Sequence, residues 1–215
     1  MKTNSLVLTA TLFATLLYSC KKEDRTQPGV SYQLSTTNRT ITVSGTQPMT
    51  VTWNSGYAYS KQIEFEAQNA GGQVRFQSES IRKVDLFSPI ASFGSIVVPL
   101  GTYSQVEFQI ELLQTATDAA FELRGKYNST PIIFKINSAF ELDADLPNVT
   151  VADGKAYTAA IALNLANLTK GISSDMLNVA TKDASGAILI SSSSNTSLYD
   201  TMVSNLHSIE GVQFN

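Results

Sequence analysis

Gln62-Ile63-Glu64-Phe65-Glu66, then Asn69-Ala70-Gly71-Gly72, then Val74-Arg75-Phe76-Gln77-Ser78 is the stretch on which the fold turns. Ile63 and Phe65 alternate with Glu64 and Glu66. That is the period of an extended chain, whose successive side chains point to opposite faces. One face is therefore apolar and the other charged. The Asn-Ala-Gly-Gly segment is rich in residues that accept turn geometry. Val74 and Phe76, with Ser78 and Ser80, form the returning strand, so residues 62–80 read as a hairpin.

The same period continues on both sides. Upstream, Tyr32 and Leu34 open an alternating segment, and Ile41 and Val43 continue it after Asn38-Arg39. Met49, Val51 and Trp53 follow the Gly45–Pro48 turn, which makes a second hairpin. Downstream, residues 95–98 run into Pro99-Leu100-Gly101, a turn with proline at a favoured position. Val106, Phe108, Ile110 and Leu112 then alternate with Glu107, Gln109 and Glu111. Further short strands are expected around Phe134, Leu142, Val149 and Ile161. Short strands with regular turn signals imply a sandwich or an open barrel.

Near Leu163 the pattern changes. Ser173-Ser174 suit the N-cap of a short helix carrying Met176 and Leu177. After a brief strand at Ile188-Leu189-Ile190, Leu198, Tyr199, Met202, Val203 and Leu206 recur at helical spacing. The fold class expected is mostly β, an antiparallel β-sandwich with a short helical C-terminal part, over residues 31–215.

The N-terminus carries a different signal. Lys2 precedes an apolar run from Leu6 to Leu17 that is too short to span a bilayer. It has the form of a cleaved signal peptide, residues 1–19. Leu17-Tyr18-Ser19-Cys20 resembles the lipobox of bacterial lipoproteins. That resemblance implies that Cys20 carries a diacylglycerol and becomes the first residue of the mature chain; the alternative is a plain secretory leader with an incidental cysteine. Cys20 is the sole cysteine, so no internal disulfide forms and lipidation leaves no thiol for catalysis. Residues 20–30 are too charged and turn-rich to bury apolar surface, and read as a lipidated tether. The Cys-Lys-Lys-Glu-Asp start also resembles Bacteroidota lipoproteins, in which such a segment implies outer-membrane anchoring and export to the cell surface.

Composition excludes several functions. With Lys+Arg 15 against Asp+Glu 18, the chain lacks the concentrated basic surface that nucleic acid requires. His207 is the only histidine, at the end of the last expected helix, where a cation suits the C-terminus. There is no Gly-x-Ser-x-Gly elbow, no clustered Cys and His for zinc, and no phosphate-binding glycine motif. Neither a catalytic residue nor a cofactor is expected. Glu141, Asp143 and Asp145 alternate on one strand face, with Asp153-Gly154 nearby. Calcium is one reading of that pattern, but the spacing does not match a calcium loop, and a polar strand face explains it more simply. Trp53, Tyr57 and Tyr59 cluster around Gly56 and are the possible ligand contacts, by stacking on a sugar or anchoring a protein; core packing is the competing role. Asp200-Thr201-Met202 resembles a Bacteroidota O-glycosylation sequon, which would place a glycan on Thr201.

The segment from Val84 to Leu112, with Pro-Leu-Gly-Thr-Tyr opening a strand, resembles small Bacteroidota lipoproteins of uncharacterised function with transthyretin-like or fimbrillin-like β-sandwich domains. Some of these are named adhesins. The expectation is a lipid-anchored cell-envelope binding protein without enzymatic activity, serving surface adhesion or assembly with an envelope complex. Its partners would be the membrane, through the N-terminal lipid, and an unidentified protein or glycan. The alternative is a carbohydrate-binding accessory lipoprotein.

Overall fold

The computed structural model describes residues 28–207 and 211–215. Cys20 and the tether through residue 27 lie outside them. The described chain is a mostly β sandwich with short helices near its C-terminus. A four-stranded sheet has the order β12 (Val212–Phe214), β10 (Tyr157–Asn164), β1 (Gly29–Thr37), β5 (Ala91–Val97). The second sheet has eight strands and is organised by β3 (Met49–Asn69), which is 21 residues long.

β3 changes partners along its length. On one edge it pairs first with β2 (Thr40–Val43) and then with β4 (Gly72–Asp85). On the other edge it pairs first with β7 (Phe121–Tyr127) and then with β6 (Gly101–Leu112). β8 (Thr130–Ile136) and β11 (Ile188–Ile190) extend the β7 side, and β9 (Phe140–Val151) extends the β6 side. The sheet is thus two halves that share one strand.

Irregular register at two points makes this possible. The pairing shifts between Trp53 and Ser55, and again between Ser60 and Gln62. Each shift inserts an odd residue, and because the side-chain period is two, every following residue then faces the other way. Val51 and Trp53 are buried, then Ala58 and Ser60, then Ile63 and Phe65. At the first shift Gly125 lies against the β3 backbone: a Cβ there would sit 2.2 Å from the Thr52 carbonyl oxygen.

Two pairings are parallel, β1 with β10 and β11 with β8, among otherwise antiparallel ladders. The long crossovers that parallel neighbours require run through the rest of the chain. The expected hairpin at residues 62–80 is present, with Phe65 opposite Phe76 and Asn69 opposite Gly72. The second is present as β2–β3, with Ile41 opposite Val51.

The core lies between the sheets. Tyr32 of the small sheet meets Phe108 of the large one edge-on, with centroids 5.7 Å apart, and Phe65 meets Phe108 at 5.5 Å. Burying a side chain of this size stabilises by about 1.5–3 kcal/mol, before any preference from ring geometry. The Tyr32 hydroxyl donates to the Glu64 carbonyl, so its polar end is satisfied inside the core. α1 (Leu165–Leu168), α2 (Ser174–Asn178) and α3 (Thr196–Leu206) complete the chain. Ser173 caps α2 by accepting from the Met176 N–H. α3 buries Leu198, Met202 and Leu206, and its Tyr199 ring lies 6.1 Å from Phe134 of β8. The helices therefore cover the core side of the β7–β8 half.

Candidate functional site: a polar groove at the fork of the sheet

Where β3 exchanges β7 for β6, the sheet forks. The Tyr59 N–H donates to the Ala120 carbonyl at the start of β7, and the Leu113 N–H donates to the Tyr59 carbonyl at the end of β6. The connection between them, residues 113–120, must arch over the outer face at the fork. The Thr115 hydroxyl accepts from the Asp118 N–H at 2.9 Å, and the Thr115 N–H donates to the Asp118 carbonyl, which closes the arch on itself. A groove of about 880 Å³ lies between this arch and the strands below.

The floor follows from register. Tyr57 pairs with Asp85 on one side and Glu122 on the other, and Glu122 pairs with Lys135, so four strands contribute one transverse row. Arg124 lies two residues along from Glu122, on the same face. The Glu122 side chain is only 4% exposed and is held between the Arg124 guanidinium at 2.5 Å and the Lys135 ammonium at 3.3 Å. Both cations reach water, so this triad fixes positions more than it stabilises the fold.

At the mouth, the Lys83 ammonium sits 3.8 Å from the Tyr57 ring centre and pairs with Asp118 at 2.5 Å. The Tyr57 hydroxyl accepts from the Ala119 N–H at 3.2 Å, which pins the arch to the floor. Burial, and then the Glu122 charge, push the Tyr57 phenol above its ordinary pKa. The hydrogen bond from Lys83 lowers the Asp118 pKa, and the same bond raises that of Lys83.

The three aromatic residues expected to form one contact are separated. Trp53 is 1% exposed and its indole N–H has no hydrogen-bond partner, so it is a core residue and offers no ring to a ligand. Tyr57 and Tyr59 are half-buried, and Tyr57 lines the groove. All three numbers are odd, which places them on one face of a regular strand. The shift between Trp53 and Ser55 reverses the faces and sends Trp53 inward.

Outside the groove, the outer face of β3, β6 and β9 is acidic. Three rows cross it: Gln62, Glu111 and Glu141; Glu64, Gln109 and Asp143; Glu66, Glu107 and Asp145. Lys61 pairs with Glu111 at 2.8 Å, and Arg75 with Glu64 and Glu66. Burial, followed by the charges of Glu107 and Glu141, raises the Asp143 pKa to about 6, while His207 pulls it down. His207 ends α3 with its ring 4.6 Å from that of Phe140. Among the described residues, no group of three His, Cys, Asp or Glu side chains is placed to hold a metal ion. The Thr201 hydroxyl donates to the Ser197 carbonyl within α3. No described helix is long and apolar enough to cross a membrane.

Glu122, Arg124 and Lys135 escape sequence reasoning because they lie on two strands whose register with Tyr57 depends on the fork. The one local signal was the alternation of Glu122 and Arg124 with Phe121 and Leu123. No family model, no curated protein and no solved structure matches this chain.

Proposed function

We propose that the protein is a lipid-anchored binding protein of the bacterial outer membrane. It acts by recognition rather than catalysis, in adhesion or in assembly with an envelope complex. The observation that carries this reading is the position of the groove relative to the N-terminal strand. Gly29 pairs with Val97 at one end of the sandwich, close to Gly101, where β6 begins. β6 is 12 residues long and ends at Leu112, beside the groove. At ~3.3 Å per residue the two ends are roughly 36 Å apart. A chain tethered through Cys20 thus holds this polar groove away from the membrane.

The test is protease shaving of intact cells combined with the intact mass of the purified protein. The expected result is a mass that includes acyl chains on Cys20, with loss of the protein on shaving. An unmodified cysteine refutes the anchor. An acylated but protected protein refutes surface adhesion and leaves assembly with a periplasmic partner.

A further inference from the structure

We infer that the groove at the fork is a binding site for a neutral oligosaccharide, contacted through charged and amide side chains rather than an aromatic platform. This rests on the reading of the protein as a binding protein and names the ligand class of the same groove.

Three properties of the groove converge on that class. The first is its lining. Of fifteen lining residues, only Gly56, Ala116 and Ala119 lack a polar side chain, and none is a valine, leucine, isoleucine, methionine or phenylalanine. Pockets for drug-like molecules are lined mostly by apolar side chains, and peptide segments dock through anchors that need apolar recesses. Neither finds a complement here.

The second is charge. Lys83, Arg124 and Lys135 face Asp85, Asp118 and Glu122, three cations against three carboxylates. Each cation already has a carboxylate partner: Asp118 for Lys83, and Glu122 for the other two. A phosphorylated, sulfated or uronic-acid ligand would have to displace those carboxylates, and Glu122 is almost fully enclosed. A cationic ligand meets the converse obstacle in the same pairs. The groove favours a ligand without net charge.

The third is the kind of hydrogen bond on offer. A carboxylate only accepts, a guanidinium or ammonium only donates, and a hydroxyl does both. Asp118 beside Lys83 presents acceptor and donor side by side at the mouth, while the enclosed Glu122 fixes Arg124 and Lys135 as donors on the floor. Adjacent hydroxyls of a sugar satisfy such a pair together, whereas an isolated amide or hydroxyl satisfies half of it. Asn137 and Gln114 add amide groups at the rim. The Tyr57 ring carries Lys83 on one face, which closes that face to stacking.

The test uses the full chain purified from membranes in detergent. It is applied to an immobilised set of neutral, sulfated and uronic-acid oligosaccharides, and the strongest neutral binder is then titrated by calorimetry. Arg124→Ala removes one of the two cations on Glu122, and Asn137→Ala trims an exposed rim side chain. The expected result is binding confined to neutral members, weakened at least tenfold in both variants, with the thermal midpoint of Asn137→Ala unchanged. Three outcomes overturn the inference: no neutral saccharide bound, preference for the anionic ones, or neutral binding that both variants retain. Failure on the array beside successful shaving and acylation removes only the ligand class. Failure of acylation or shaving removes the anchored-surface reading whatever the array shows.

Discussion

Replacing Gly125 with alanine tests the shared-strand architecture directly. Gly125 pairs with Trp53 at the first register shift of β3, and an added Cβ would meet the Thr52 carbonyl oxygen at 2.2 Å, the Thr52 carbonyl carbon at 3.0 Å and the Trp53 Cα at 3.0 Å. All three are backbone atoms, so no rotamer change relieves the overlap. Ordinary carbon–oxygen contact needs a separation larger by about 1 Å. β7 must therefore move away from β3 at the point that turns Trp53 inward and Tyr57 outward. Overpacking in a well-packed interior costs about 1–3 kcal/mol, and a backbone clash belongs at the upper end, so a loss of about 3 kcal/mol is expected. Gly29→Ala is the control, because its Cβ would find only the Ile96 carbonyl oxygen at 3.9 Å. Urea unfolding followed by tryptophan fluorescence reads both: a lower midpoint at constant slope for Gly125→Ala, and no change for Gly29→Ala. If Gly125→Ala loses less than about 1 kcal/mol relative to the control, below the smallest overpacking cost, the close approach of β7 to β3 is refuted. The account of why Trp53 and Tyr57 lie on opposite faces falls with it.

Two other substitutions follow from the outer face. Asp143 has its pKa raised to about 6 by burial and by Glu107 and Glu141, so the folded protein holds a proton that the unfolded chain releases at lower pH. Stability from this group therefore declines as pH rises from about 4 toward 6, and its penalty is complete above that. Asp143→Asn is expected to raise the urea midpoint at pH 7 and to flatten the midpoint between pH 4 and 6; an unchanged pH profile counts against the shift. Tyr57→Phe keeps the ring under Lys83 and removes the acceptor of the Ala119 N–H. It is expected to cost about 1 kcal/mol and to speed hydrogen exchange at Ala119, and an exchange rate equal to that of the parent would show that the arch is held elsewhere.

The alternation around Ile63 and Phe65 made the β3–β4 hairpin legible, because both residues pack inward while Glu64 and Glu66 carry charge outward. The Ser173 cap and the spacing of Leu198, Met202 and Leu206 did the same for the helices. What stayed hidden was the continuity of β3. Periodicity reports a strand only while its faces keep their parity, and two register shifts within it break the pattern at Trp53 and again at Ser60. The sequence therefore reads as two strands with an aromatic loop between them. The same shifts hid the groove, since the row from Asp85 through Tyr57 and Glu122 to Lys135 exists only in the register of four strands. The parallel pairing of β1 with β10 was also beyond local signals, because Tyr32 and Ala159 are partners separated by most of the chain.

That pairing has a mechanical side. β1 leaves Gly29 between β5 on one edge and β10 on the other, matched residue for residue with β10 from Val30 to Thr37. A pull at Gly29, against the body of the sandwich, acts along β1 and loads both of its ladders in shear. Many hydrogen bonds then bear the force together, where peeling would break them one at a time. Resistance to forced unfolding is set by the unfolding rate along the pulled direction rather than by overall stability. A strand held on both edges is suited to carry tension applied at its N-terminal end.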